Sequence, residues 1–146
     1  MMTAEQRFWP KVNPCGPVHP TLGTECWLWV GSRDGAGYGH FGLDRRVEKA
    51  HRVAYELRVG PIPKGLALDH LCRNTSCVNP THLEPVTSRV NSLRGVGVGA
   101  VNAKKTHCPK GHEYTPENTY SYKPTFRQCR ICHNEATARH RAKVSA

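Results

Sequence analysis

Acidic residues are scarce in this chain. Eleven Asp and Glu stand against 21 Lys and Arg among 146 residues, giving a formal net charge of +10 and a pI near 9.6. That imbalance points to a polyanionic partner, either nucleic acid or an anionic membrane surface. Long hydrophobic runs are missing too. No stretch approaches the length of a transmembrane helix. No long amphipathic apolar helix or lipidation motif offers a grip on a membrane surface. Residues 1–13 hold Glu5, Arg7 and Lys11 but no apolar segment, so no secretory leader is expected. These absences leave a soluble, cytoplasmic protein with a nucleic-acid partner and no membrane as the expectation. No internal repeat is present.

Apolar residues make up only 38% of the chain, beside 13 Gly and 11 Pro. The core must be modest and much of the chain must be loop, a composition that usually calls for metals or disulfides as staples. Seven cysteines are present. An odd number argues against a closed disulfide framework, and a cytoplasmic setting argues against disulfides at all. Metal binding is the better default.

Thr3 to Trp9 reads as a short helix ended by Pro10. Cys26 to Val30 and Tyr38 to Leu43 read as the two strands of a hairpin around the turn-rich residues 31–37. Val47 to Val59 has helical periodicity, with Val47, Ala50, Val53, Ala54 and Leu57 on one face, and stops at Gly60 and Pro61. Leu66 to His70 and Leu83 to Val86 read as short strands around a polar loop. Thr87 or Ser88 can cap a helix running to Arg94. Residues 95–105 read as a flexible, glycine-containing linker, and 106–146 as a second unit with a cysteine-rich start and a basic helical tail.

The segment from Leu68 to Asn91, LDHLCRNTSCVNPTHLEPVTSRVN, carries the chemistry. Asp69 and His70 end one strand, His82 opens the next, and Asn91 lies one turn into the helix. A carboxylate, an imidazole and an amide oxygen can then converge on one divalent cation and an activated water, the parts that phosphodiester cleavage requires. The plain alternative is a hydrogen-bonded loop pair with Asn91 as a capping residue.

The stretches CWLW, GYGHF, AHRVAYEL, GPIPKGLALDHLC and CVNPTHLEPVTSRVN weigh against that alternative. Together they resemble the HNH nucleases of phages, including the intron-encoded homing endonucleases, over roughly Arg7 to Gly95. The resemblance implies an α+β fold: a ββα-metal (His-Me) finger over residues 66–94 in a nuclease domain of residues 1–94, with an N-terminal β-hairpin and helix. It implies His70 as general base and Asp69 and Asn91 as ligands of a catalytic cation. The base-orienting middle position falls on His82 or Asn79, with His82 favoured by spacing. Asn stands at the last triad position, as in the intron-encoded branch, and an oxygen ligand there favours Mg²⁺ or Mn²⁺.

Cys108, His112, Cys129 and Cys132 form C-x3-H-x16-C-x2-C, the spacing of a structural zinc ribbon or knuckle. His133 is an alternative nitrogen ligand. Cys72 and Cys77 sit in the finger loop and offer half of a second zinc site, with Cys26 as the third ligand and His82, His51 or Cys15 as the fourth. If His82 serves there, the orienting role passes to Asn79. The alternative is that Cys72 and Cys77 are small buried hydrophobes.

Arg45, Arg46 and Lys49, and then Lys104, Lys105, Arg127, Arg130, Arg139 and Arg141, are candidates for phosphate contact. Trp9, Trp27, Trp29, Tyr38 and Phe41 read as core rather than base-stacking residues. The expected activity is metal-dependent hydrolysis of double-stranded DNA, with a homodimer as one way to bring two active sites to both strands. The competing function is a non-catalytic zinc-ribbon DNA-binding protein.

Overall fold

The first helix is fixed by its cap. Thr3 Oγ1 accepts from the Gln6 N–H, and the Gln6 side chain accepts from the Thr3 N–H, a reciprocal pair that satisfies two orphan donors. Helix α1 (Ala4–Phe8) then passes into a 3₁₀ turn at Trp9–Lys11. The computed structural model describes residues 2–123 and 126–144. They fall into two compact units, Met1–Gly95 and Val96–Ala146.

In the first unit, Phe8 lies 5.0 Å from the Trp29 ring and 5.1 Å from the Phe41 ring, centroid to centroid. Ala50, Val53, Ala54 and Val78 complete this core. Trp29 belongs to β2 (Leu28–Trp29), which pairs antiparallel with β1 (Val12–Asn13). Strand β3 (His40–Leu43) pairs with β4 (Arg46–Lys49), which leads into α2 (Ala50–Arg58).

Two expectations change here. The hairpin expected between residues 26–30 and 38–43 does not form, because β2 and β3 take different partners. Gly39 enters β3 lying on Trp29: a Cβ there would come within 2.4 Å of the indole, so only glycine allows this crossing. The helix expected from Val47 starts at Ala50. Asp44 and Arg45 both take positive φ, 46° and 67°, the pattern of a two-residue type I′ turn, and that turn converts residues 46–49 into a strand.

The finger follows the sequence closely. Strand β5 (Ala67–His70) pairs antiparallel with β6 (Leu83–Val86), setting Asp69 opposite Glu84 and His70 opposite Leu83. Thr87 Oγ1 caps α3 (Ser88–Arg94) by accepting from the Val90 N–H, and α3 packs on β5.

The second unit begins with another change. Residues 98–104, expected within a linker, form helix α4 (Val98–Lys104), with Ala100 buried. Glycine lowers helix propensity by only about 1 kcal/mol per residue, and burial of Ala100 works against that. A tight turn at residues 108–112 follows, then the hairpin β7 (Thr119–Lys123) and β8 (Phe126–Cys129), then α5 (Arg130–Val144). Among the described residues no helix is long and apolar enough to cross a membrane. The chain is α+β, with a ββα finger in its first unit and a Cys/His cluster in its second.

Candidate active site and metal centres

Asp69 and His70 end β5 with both side chains buried. The Asp69 carboxylate is held from two sides. Arg73 Nη1 donates to Oδ1 at 2.6 Å, and Arg94 Nη1, from the last turn of α3, reaches Oδ2 at 3.5 Å. Arg94 also pairs with Glu84. Asn91 is half-buried on α3, one turn before Arg94, which places it on the helix that reaches back to Asp69.

His70 Nε2 lies 3.0 Å from the Cys77 carbonyl oxygen. A carbonyl only accepts, so Nε2 carries the proton and Nδ1 keeps its lone pair. Burial holds the His70 pKa below its ordinary value, against the Cys77 hydrogen bond and the Asp69 charge, which raise it. The ring is neutral at pH 7, and Nδ1 can accept a proton. The His70 ring is thus held by a backbone carbonyl, and the side chains of His82 and Asn79 make no hydrogen bond to it. Asn79 is occupied elsewhere: Oδ1 accepts from the Thr81 N–H and hydroxyl, and Nδ2 donates to the Glu25 carbonyl at 2.8 Å.

Two further rings crowd His70. His51 lies 4.7 Å from His70, edge to face, and Tyr38 lies 5.4 Å from His51 and 5.8 Å from His70. His51 is 7% exposed and its Nδ1 has no hydrogen-bond partner. Burial, then the neighbouring His70, push its pKa down to about 3. From sequence, His51 stood only as an alternative zinc ligand. The available signal was its spacing three before Ala54, on the buried face of α2.

His82 sits in the loop cluster. Its Nδ1 is 3.6 Å from both Cys26 Sγ and Cys77 Sγ, and Cys72 completes a set whose ligand atoms all lie within 4.8 Å of one another. Its Nε2 meets Thr24 Oγ1 at 2.7 Å, which leaves Nδ1 for a metal. The Cys72 thiol is pulled down to about 4, first by the hydrogen bond from Cys77, and the same contact pushes Cys77 up. His82 is therefore the fourth member of a set that could hold a metal, while Cys15 is exposed and outside it.

The second cluster is Cys108, His112, Cys129 and Cys132. His112 Nδ1 lies 3.5, 3.6 and 3.3 Å from Cys108, Cys129 and Cys132 Sγ, and Cys108 and Cys132 Sγ are 3.7 Å apart. Tetrahedral zinc with ordinary bond lengths requires N···S near ~3.5 Å and S···S near ~3.8 Å, so this donor set fits zinc. Gly111, at φ 85°, makes the tight turn that returns His112 to Cys108. Burial raises the Cys129 thiol, but hydrogen bonds from Cys132, Asn118 and His112 outweigh it and bring the pKa to about 6. Cys132 is pushed up to about 11 by burial and by Cys108. His133 is not in the set, since its ring stacks on Tyr120.

The basic candidates divide. Arg45 and Arg46 are exposed at the β3–β4 turn, and Lys104, Lys105, Arg130, Arg139 and Arg141 are exposed in the second unit. Lys49 instead pairs with Asp34 at 2.5 Å and contacts His40 Nε2 at 3.1 Å. Arg127 donates to the Asn102 and Lys105 carbonyls and covers the Tyr114 ring, so it closes the end of α4.

A ββα finger with a buried Asp–His pair on its first strand defines a nuclease class, and sequence comparison agrees. A profile of the HNH endonuclease family matches residues 48–93, from β4 through α3. Relatives are phage proteins. Protein 7.7 of Escherichia phage T7 is 35% identical over 68 residues, which is 47% of this chain and 52% of that protein. Protein 2.8 of the same phage is 33% identical over 95 residues, 64% of this chain and 60% of that protein. The uncharacterized gene 5.3 protein of Enterobacteria phage T3 is 37% identical over 79 residues, 51% of this chain and 78% of that protein. This chain belongs to the HNH endonuclease family. It spans roughly half to three-fifths of the two T7 relatives. No solved structure matches it.

Proposed function

We propose that the chain is a divalent-metal-dependent DNA endonuclease that hydrolyses phosphodiester bonds, by a nick or a double-strand break, in a phage-infected cell. The observation that carries this is the His70 hydrogen bond: Nε2 lies 3.0 Å from the Cys77 carbonyl, which commits Nε2–H there and keeps Nδ1 as an acceptor. Nδ1 takes the proton of a water as it attacks phosphorus. Asp69 and Asn91 would hold Mg²⁺ or Mn²⁺, and the fit rests on hard oxygen donors, with Asp69 Oδ2 only loosely engaged by Arg94 at 3.5 Å. When bound, that cation supplies charge stabilisation at the phosphate and the leaving oxygen. Arg73 and Arg94, partly exposed, add positive charge on the same side. Double-stranded DNA as substrate rests on the net charge and on the arginines at the β3–β4 turn. Zinc in the two Cys/His sets is structural, and a homodimer would bring a second site to the other strand.

A second reading, a zinc-dependent DNA binder without catalysis, draws on the two arginines already paired with Asp69. Supercoiled-plasmid conversion with Mg²⁺ titrated separates them. The parent should cut and stop in EDTA, and His70→Ala should lose on the order of 10²-fold in turnover with DNA affinity kept. A parent that binds but never cuts at any metal concentration sinks the nuclease reading.

A further inference from the structure

Each oxygen of the Asp69 carboxylate faces a guanidinium, yet the two arginines are held differently. Arg94 Nη1 stands 3.5 Å from Oδ2 and is anchored by its pair with Glu84. Arg73 Nη1 donates to Oδ1 at 2.6 Å, and Asp69 is its one ion-pair partner among the described residues. The Asp69 side chain is 2% exposed and that of Arg73 is 46% exposed, so a fixed, buried anion is paired with a cation at the surface. We propose that Arg73 is an exchangeable counter-ion: it holds Asp69 Oδ1 until a DNA phosphate takes its guanidinium, and the catalytic cation then loads on the freed oxygen. This rests on the reading of Asp69 as a ligand of that cation.

Electrostatics dictates the exchange. A carboxylate out of water is costly unless paired, so Asp69 needs a counter-charge in every state. A divalent cation on Oδ1 would stand close to the Arg73 guanidinium, and like charges that close repel strongly where water is scarce. One of the two must leave. The guanidinium has somewhere to go, since its planar fork matches phosphate oxygens and such contacts do not depend on sequence. The backbone need not move with it. Arg73 sits at φ 56° in a tight turn after β5, with its N–H donating to the His70 carbonyl at 3.0 Å. Only the side chain has to swing. By linkage, whatever affinity DNA lends the cation, the cation lends DNA. The site then holds its cation tightly on DNA and weakly off it.

The test uses the full-length, zinc-loaded protein carrying His70→Ala, so that a short mixed-sequence duplex stays intact. Mn²⁺ uptake is read by electron paramagnetic resonance and counted as the difference from the same protein with Asp69→Asn. The duplex should tighten Mn²⁺ binding by about tenfold or more. Arg73→Gln should tighten Mn²⁺ binding without DNA by a similar factor and shrink the gain from DNA. Arg94→Gln removes the same charge from the other oxygen and should do much less, because its contact is the looser one. In case Arg73→Gln does not fold, ¹⁵N-arginine spectra of the parent give a second measurement. The Arg73 Nε–H signal, identified by its loss in Arg73→Lys, should move when Mg²⁺ and the duplex are added together. A signal unmoved by both overturns the proposal, as does a Mn²⁺ affinity that Arg73→Gln leaves unchanged. Equal effects of Arg73→Gln and Arg94→Gln also overturn it, since they would reduce the exchange to net charge. DNA-dependent Mn²⁺ binding through Arg73, beside a parent that never cuts, would keep the exchange and remove the catalytic reading. Mn²⁺ uptake that ignores Asp69, with and without DNA, would remove both.

Discussion

At the residue scale, His51 is hard to justify by packing alone. Burying a polar atom without a partner costs about 1–3 kcal/mol, and His51 Nδ1 has none. An apolar ring of similar size would serve the core as well, so we expect His51→Phe to keep or raise stability at pH 7. Turnover should fall, because the ring touches His70. A protein that loses both stability and activity together would make His51 a core residue only. The pH dependence gives a separate check. Both His51 and His70 have folded pKa values below the ordinary 6.5, through burial first. The unfolded chain therefore takes up protons before the folded one. Stability contributed by the neutral rings is complete above ~6.5 and falls as pH drops from there toward the folded values, near 3 for His51. Melting temperatures from pH 7.5 to 5 should fall, and His51→Phe should flatten that slope. Sequence made Asp69, His70 and the cysteines of both Cys/His sets legible, because side-chain chemistry at fixed spacing leaves a pattern. The group that orients His70 was not legible, because a backbone carbonyl has no letter of its own. His82 was ambiguous because its spacing suits an orienting role, whereas the approach of Cys26 and Cys77 puts it in a set that could hold a metal.

At the element scale, the β3–β4 turn keeps an arginine where glycine would be easier. Arg45 at φ 67° bears a left-handed cost of ~1–2 kcal/mol, and glycine would recover it less the ~0.4–1 kcal/mol of added unfolded-chain freedom. An unfavourable residue at an exposed basic tip suggests service to a ligand. Arg45→Gly should thus leave stability unchanged or raise it by up to ~1.6 kcal/mol, while DNA affinity falls and the salt slope drops by ~1. Anisotropy titrations across salt concentrations test this, and an unchanged slope would free Arg45 from any phosphate role. This turn also shows where element prediction broke down. Strands β5 and β6 and helix α3 were readable because apolar alternation and the Thr87 cap agree with their final partners. Residues 46–49 carry a helical pattern, yet a two-residue turn fixes them as a strand. Cys26–Val30 looks like half of a hairpin with 38–43, but Trp29 needs Gly39 lying flat on its ring, and β1 takes the pairing edge instead.

At the scale of the whole molecule, the two units are held together by different means. The first has an aromatic core of Phe8, Trp29 and Phe41. In the second, Ala100, Cys108 and Cys129 are the buried hydrophobic residues among those described, too little apolar surface to fold on its own. Structural zinc can supply that deficit, since apparent binding free energies in small zinc modules reach about 10–16 kcal/mol. Elemental analysis should therefore find two zinc ions per chain, one for each Cys/His set. Cys129→Ser should leave one. In that variant the first unit should keep native tryptophan fluorescence, because Trp9, Trp27 and Trp29 all lie there. The second unit should become open to trypsin at Arg130, Arg139 and Arg141, leaving a stable fragment that ends near Lys104 or Lys105. The DNA salt slope should fall with it, by ~0.9 for each phosphate contact that α5 no longer holds in place. A parent-like digestion pattern in Cys129→Ser would mean that the hairpin and α5 stand without their metal. The basic helix would then be a scaffold in its own right, not a surface that zinc presents to DNA.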